Sequence, residues 1–425
     1  MIQTFVDFFK NRDIRKKIGF TLIMLLIYRL GCAIPAVGIN DTVISLSSNS
    51  ILGMMSLLGG GAIEQMSIFS LGVGPYITSS IVIQLLAMDI IPSLTEMAKS
   101  GKKGRQQMDR ITRYLAVVMS LVQGYFIVQL LSNQFEVVDN PGPLTYLYIA
   151  IIFTAGSMFL LWIGDQITSK GIGNGVSMII FAGIVAGMPS QFQTVYQTLL
   201  GSGVTTAGVL EFIAYIVMFI AIIILVVVMQ LAERRIPMQY TTSQVVNRAK
   251  GDFNHLPLKI NSASVIPVIF ASTLIQVPQI ITSWFNQEAY AWLSDFFNLT
   301  TSPIALVIYA ILIILFTFFY TNLTVDPNKI AEDLAKQNSY IPGVRPGSET
   351  KEYVSKVLNR ITVLGAILLT FIAILPYVIS MLTSLPSQAA VGGTGIIIVV
   401  GVAMETIKTL KGQLTQKQYH GFVGK

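Results

Sequence analysis

Ten apolar stretches run along this chain, at 18–37, 74–91, 112–132, 144–164, 173–190, 209–230, 262–284, 302–323, 361–382 and 392–408. A helix crosses a bilayer core with about 20 apolar residues, and these stretches have that scale. Inside lipid, only helices and closed barrels satisfy their own backbone polar groups. The stretches are too long and too uniformly apolar for barrel strands, which alternate residue by residue. An all-α membrane protein with ten transmembrane helices is the fold class this pattern permits. Composition agrees: 53% of residues are hydrophobic and 12% are charged, against about 25% charged in a soluble domain.

The connecting segments alternate in charge. Loops 38–73, 133–143, 191–208, 285–301 and 383–391 contain no Lys or Arg. The chain's basic residues gather instead in the N-terminal segment, the other four loops and the C-terminal tail. Lys and Arg are retained in cytoplasmic loops, so both termini and the basic loops are expected in the cytoplasm. The net charge of +7 then belongs to those loops and to anionic lipid, not to a nucleic-acid partner. Arg29 lies inside the first span, near its external end, where it reaches water or a partner. That span is long, carries Arg29 and ends in CAIPAVGIN without a small-x-small site, so it is not a cleaved signal. Cys32 is the single cysteine, which excludes an intrachain disulfide.

Ten spans with both ends on one side divide into five and five. Five is odd, so the second half starts from the opposite face of the membrane. That is the topology of an inverted repeat, which in transport proteins sets a site between the halves. The halves share no convincing sequence identity, so the repeat rests on topology. The expected organisation is a cytoplasmic interfacial segment at 1–17, a five-helix half at 18–190, an external hinge loop at 191–208, a second half at 209–408 and a cytoplasmic tail at 409–425. In the first segment, Lys10, Arg12, Arg15, Lys16 and Lys17 interleave with Phe5, Val6, Phe8, Phe9 and Ile14, the pattern of a helix lying on the membrane surface.

Segment 38–73 carries its own signals. Gly59, Gly60 and Gly61 precede Ile63, Met66, Ile68, Phe69 and Leu71, an apolar run too short to span the bilayer. Gly72, Gly74 and Pro75 then break the chain. Broken backbone at membrane depth is tolerated only where protein or a water-filled cavity surrounds it, so the segment reads as re-entrant. Two cytoplasmic loops, 231–261 and 324–360, are much longer than the rest. The second predicts a short helix at 327–336, then a rigid double turn in which Pro342, Gly343, Pro346 and Gly347 present Arg345 outward. An arginine so presented can fork onto a carboxylate of a partner.

Reactive chemistry is missing. No H-E-x-x-H, cysteine cluster or G-x-x-x-x-G-K-[ST] is present, so neither metal nor cofactor is expected. GIGNG at 171–175 has no strand before it and reads as a tight turn. His255 and His420 fall outside the spans, and Asp89, Glu211 and Glu405 lie near span ends. A small-solute transporter needs central carboxylates or histidines, and an intramembrane enzyme needs a nucleophile and base; both readings are weakened but stay open. Moderate polarity marks the second span (Thr78, Ser79, Ser80, Gln84) and the seventh (Asn261, Ser262, Ser264, Ser272, Thr273, Gln276, with Pro267 and Pro278). Small and hydroxylated residues pack helices together, and weakly packed helices can also part.

Five segments carry a resemblance: SIFSLGVGPYITSSIVIQLL at 67–86, WIGDQITSKGIGNGVSMIIFAGIVAG at 162–187, HLPLKINSASVIPVIFAS at 255–272, FFYTNLTVDP at 318–327 and IPGVRPGSET at 341–350. With these in order, the chain resembles the SecY family, the central channel subunits of the bacterial protein-export machine, essentially end to end. The resemblance implies two inverted five-helix halves around a central hourglass pore. It implies a plug at 57–69, including Gly59, Gly60, Gly61, Ile63 and Met66, and a pore ring of Val73, Ile77, Ile180, Ile269 and Ile398. The second and seventh spans become a lateral gate toward lipid, with Gln84, Asn261 and Thr273 as polar contributors. Arg345, assisted by Arg234 and Arg235, becomes a docking site for the SecA motor and the ribosome.

The function implied is a passive, non-enzymatic channel in the bacterial cytoplasmic membrane. It passes unfolded secretory proteins and releases transmembrane segments and signal sequences into lipid. SecA ATP hydrolysis, the ribosome and the membrane potential drive it, with SecE and SecG as fellow subunits. The chain departs from typical members in one loop. The middle of loop 231–261, TTSQVVNRAKGDFN, is poorer in positive charge, which predicts weaker contact with ribosomal RNA.

Overall fold

Proline and short polar caps decide where helices begin in this chain. Pro92, Pro143, Pro303 and Pro327 each open a helix, where a fixed φ helps and the missing N–H would be unbonded anyway. Asn174 accepts hydrogen bonds from the backbone N–H groups of Val176 (3.1 Å) and Ser177 (3.3 Å), so the GIGNG segment is a capped tight turn. The computed structural model describes residues 11–39, 61–87, 90–135, 137–138, 140–201, 206–240, 255–284, 292–293, 295–383 and 387–423.

The helices are α1 (Arg12–Cys32), α2 (Gly74–Leu86), α3 (Pro92–Lys99), α4 (Lys102–Phe135), α5 (Pro143–Lys170), α6 (Gly175–Leu200), α7 (Thr206–Leu231), α8 (Ile266–Trp284), α9 (Pro303–Thr324), α10 (Pro327–Lys336), α11 (Ser348–Leu382) and α12 (Ser387–Val423). Each of the ten apolar stretches maps to one of them, α3 and α10 being the connectors. Among the described residues, six helices are long and apolar enough to cross a membrane on length and composition alone. α2 falls short of that length, and α1 carries its basic residues at its start.

Helix neighbours repeat between the halves. In the first half α1 packs on α5 and α6, α2 on α4, α4 on α5, and α5 on α6. In the second half α7 packs on α11 and α12, α8 on α9, α9 on α11, and α11 on α12. Taking α7, α8, α9, α11 and α12 as counterparts of α1, α2, α4, α5 and α6, the two sets of pairings are the same. An odd number of spans per half makes the repeat an inverted one, as the loop charges imply. Between the halves, α2 meets α8 and α6 meets α12, each helix facing its own counterpart.

Two boundaries differ from expectation. The segment at 191–208 is expected as a loop, but α6 runs through Pro189 to Leu200 and α7 starts at Thr206. The reason is aromatic packing: Phe192 sits against Tyr215 and Phe219 with centroids at 5.6 and 4.9 Å, and Tyr196 against Phe212 at 5.9 Å. The polar residues between them do not end the helix. At the N-terminus, Arg12–Lys17 belong to α1 and do not form a separate surface helix. Buried Ile14 pins them, packed with Ile172 of the α5–α6 turn and Leu410 of α12. Residues 1–10 lie outside the described residues.

The two long loops form one small body. β1 (Glu233–Pro237) pairs antiparallel with β3 (His255–Lys259), and β2 (Gln239–Tyr240) pairs antiparallel with β4 (Ser339–Tyr340). The second pairing ties loop 231–261 to loop 324–360. Ile236, Leu258, Leu334, Ile341 and Val354 are buried together beneath the strands, joining α10 and the start of α11.

At the α5–α6 turn, a Cβ on Gly175 would lie 1.8 Å from the carbonyl oxygen of Gly164. Gly175→Ala should therefore destabilise the fold by about 1–3 kcal/mol through overpacking. Gly19→Ala, whose Cβ meets nothing within 4 Å in the interior of α1, should leave the fold as stable or up to about 1 kcal/mol more so, and comparing the two thermal transitions in detergent checks this.

Candidate functional site

Branched aliphatic side chains from both halves converge on one cavity of about 120 Å3. Val73 and Ile77 come from the start of α2, Ile180 from α6, Ile269 from α8 and Ile398 from α12, and all five line it. The four contributing helices are two counterpart pairs, α2 with α8 and α6 with α12. Val73, Ile180 and Ile398 are buried in one apolar cluster, with Ile77 and Ile269 packed against it. Hydroxyls in the wall are turned onto their own helices. Thr78 donates to the Gly74 carbonyl at 2.9 Å, and Ser272 and Thr273 both donate to the Ile269 carbonyl at 2.8 Å. These groups are bonded locally, so the ring of five presents hydrocarbon.

Residues 61–73 enter this space as a run of turns with no regular helix. Ile63 and Leu71 reach the cavity wall. The turns are held by bonds of their own. Ser67 and Met66 N–H groups donate to the Ala62 and Ile63 carbonyls at 3.0 Å each, and the Ser70 hydroxyl reaches the carbonyls of Ala62 (3.1 Å) and Ser67 (2.6 Å). A two-way clamp joins the run to the chain after α1. Ala36 N–H donates to Met66 O at 2.9 Å and Ile68 N–H to Ile34 O at 3.1 Å. Met66 holds a left-handed φ of 44°, a conformation that costs a non-glycine residue about 1 kcal/mol or more. Gly59 and Gly60 lie outside the described residues; Gly61 opens the described run at φ +83°.

Phe69 fixes the far end of the run. Its ring lies between Tyr28 of α1 (6.3 Å, 24°) and Phe159 of α5 (6.0 Å, 16°), and Phe159 stacks on Trp162 (5.5 Å, 23°). Two glycines make room for it. A Cβ on Gly31 would sit 2.0 Å from the Phe69 ring, and one on Gly156 would sit 1.9 Å from the Ile68 carbonyl oxygen. Neither Gly31 nor Gly156 carries a sequence signal, because each is defined by a contact distant along the chain.

Among the remaining expected site residues, the structure brings Gln84 across the halves. Its carbonyl accepts the Tyr320 hydroxyl of α9, while its amide donates to Ser80 at 2.9 Å. Asn261 is buried at the turn before α8. It closes its own turn, donating to the Ser264 carbonyl at 2.7 Å, where Ser264 holds φ 58°. Thr273 lines the cavity beside Ile269. Arg345 is exposed on a turn held by Gly343 and Gly347 at φ +82° and +104°. Its backbone is buttressed on both sides, by Glu349 accepting from its N–H at 3.3 Å and by the Thr350 hydroxyl donating to its carbonyl at 2.8 Å. Arg234 and Arg235 are exposed on β1, and Arg235 pairs with Glu233 at 2.9 Å. Residues 241–254, the charge-poor stretch of loop 231–261, lie outside the described residues.

Two inverted helical halves meeting at a hydrocarbon-lined cavity, with a non-helical segment lodged beside it, define an all-helical, two-halved multi-pass membrane protein. Known proteins agree on its lineage. The family model SecY matches residues 67–407. A protein translocase subunit SecY of Staphylococcus carnosus is 43% identical over 432 residues, covering 100% of both chains. A solved structure described as "The structure of a protein conducting channel" superposes with a TM-score of 0.68 at 21% identity, covering 94% of this chain and 92% of that one. Sec61 in a canine ribosome-channel complex superposes at 0.64 with 20% identity and the same coverage. The chain belongs to the SecY family.

Phe69→Ala should remove a fully enclosed ring at a cost of about 3–5 kcal/mol and free the turns it anchors. Amide hydrogen exchange checks this: exchange at 61–73 should rise in the variant while α9 and α11 keep their protection.

Proposed function

We propose that this chain is the protein-conducting subunit of a translocase in the bacterial cytoplasmic membrane, passing unfolded secretory chains and releasing apolar helices sideways into lipid. The observation that carries the reading is the convergence of Val73, Ile77, Ile180, Ile269 and Ile398 on one cavity from both halves. Branched aliphatics form a dry, deformable gasket. They block ions, because a hydrocarbon constriction excludes water, yet they yield around a polypeptide. In this reading the 61–73 turns are the plug. The α2–α8 contact is the seam that opens as the gate. An apolar segment leaves there because lipid is its favourable solvent.

The chain contributes no reacting group in this mechanism, so the work comes from outside: a SecA motor, the ribosome and the membrane potential. Arg345, raised on its double turn, and Arg234 and Arg235 on β1 form the cytoplasmic docking surface, supported by the exposure and rigidity of that turn. Basic loops and both termini face the cytoplasm, as their charge supports. SecE and SecG are the expected fellow subunits.

Site-specific photocrosslinking tests the pore. A probe at Ile77 or Ile398 should capture a stalled secretory chain, and a probe at Val118, exposed on the outer face of α4, should not. Capture absent from both pore positions in folded, assembled complexes would remove the reading. Docking is tested separately. Arg345→Glu should reduce motor-driven export about tenfold or more, the scale of a lost arginine hot spot, with the channel still inserted in the membrane; unchanged export rates would overturn the assignment.

A further inference from the structure

Lys408 makes a bond that neither the aliphatic ring nor the Arg345 turn requires. It closes the apolar run of α12, and its Nζ donates to the Gln230 carbonyl at 2.6 Å. Gln230 is the last residue but one of α7. The final carbonyls of a helix have no partner within it and carry the negative end of its dipole, so an ammonium group caps α7 here. The chain then leaves α7 for β1. Ala232, between the two, accepts the Ile260 N–H at 3.0 Å, which joins the roots of β1 and β3. Glu233 of β1 and Lys259 of β3 are both electrostatic neighbours of Lys408. Lys408 therefore stands where the strand body that carries Arg234 and Arg235 meets the helices. Ile398 lies ten residues back on the same helix, about 15 Å along its axis. Between them Gly401 holds α12 against the chain entering α8, since a Cβ there would lie 2.3 Å from the Val265 side chain.

We propose that Lys408 is a positioning residue: its bond to the end of α7 makes α12, and Ile398 with it, follow the strand body when a motor loads that body. This rests on the channel reading above. The second half supplies two members of the ring, and they are tied to the body differently. Ile269 is linked by the chain itself, because β3 runs through residues 260–265 into α8. For Ile398 the covalent path from the Arg345 turn is far longer, up the whole of α11 and back along α12. α12 does lie along α7 and α11, but packed helices can shift past one another by about 1–2 Å. A charge-assisted bond at the end of α7 resists that shift, because sliding stretches it. With the bond in place, Ile269 and Ile398 move as a pair against Val73, Ile77 and Ile180 of the first half. Without it, part of any displacement is taken up between α7 and α12 before it reaches the ring. Lys408 itself touches neither the cavity nor the exposed arginines.

The test uses the full-length chain assembled with its translocase partners, purified SecA as the motor and one secretory precursor. Three quantities are read: motor binding, ATP hydrolysed and precursor exported. Lys408→Met keeps the apolar stem and removes the ammonium. It should leave motor binding and precursor-stimulated hydrolysis unchanged and lower the precursor exported per ATP about tenfold, the lower end for a hydrogen bond to a charged group. Lys408→Arg keeps a charged donor and should regain most of that yield. Arg345→Glu serves as the contrast, because a docking defect lowers binding and export together. Unchanged export per ATP in Lys408→Met, a parallel fall of binding, hydrolysis and export, or no recovery in Lys408→Arg would overturn the proposal. Absence of export by the unmodified chain would instead strike the channel reading, and the role of Lys408 with it.

Discussion

Backbone N–H and C=O groups at membrane depth need partners within the protein, and residues 61–73 provide several of them without a helix. Their turns close on Ala62, Ile63 and Ser67, and the strand-like exchange with Ile34 and Ala36 takes up two more groups. Such backbone survives only when protein surrounds it. The first half is arranged accordingly. Gly31 and Gly156 clear volume for the Phe69 ring and the Ile68 carbonyl, and Tyr28 and Phe159 sandwich that ring. The constriction depends on this in turn, because Val73 and Ile77 are delivered to it by the chain emerging from those turns.

The two halves meet along two sides of different character. Within each half, five pairings hold the helices as a unit. Across the boundary, α8 lies on α2 and α4 at one side, and α6 lies on α7 and α12 at the other. On the α6–α12 side, glycine permits close approach, since a Cβ on Gly395 would lie 2.9 Å from the Ile184 side chain. The chain also passes directly from α6 to α7 there. The α2–α8 side is aliphatic, with a polar tie from Gln84 to Tyr320. The two sides of the boundary thus differ in kind, one packed closely at a glycine and the other aliphatic with one polar tie.

Much of the fold was legible because membranes enforce simple rules. Apolar run length located the ten spans, and the loops without Lys and Arg set the direction expected of them. Pro327 marked the start of α10 plainly enough to place that helix at 327–336, and Asp326 caps it in the structure. Other boundaries were not legible, since their cause lies far away in sequence. α6 continues past residue 190 because Phe192 and Tyr196 find aromatic partners on α7. The aliphatic ring could be named only by resemblance: Ile180 and Ile398 are two isoleucines among many, and nothing local distinguishes a lining residue from a lipid-facing one. Asn261 too was named only by resemblance, and the turn its side chain closes with the Ser264 carbonyl carried no signal in the sequence. Tyr320 gave no hint, since its partner is 236 residues distant.

The pairing of β2 with β4 makes the two long loops mechanically one object. Gln239 and Tyr240 are bonded to Tyr340 and Ser339, and the shared apolar core reaches from Ile236 to Val354. β1 leads directly out of α7, β3 leads into α8, and α10 and α11 flank the Arg345 turn. Anything that grips that turn thus holds four helices of the second half at once. A load there bears on a paired and packed body instead of on a lone loop.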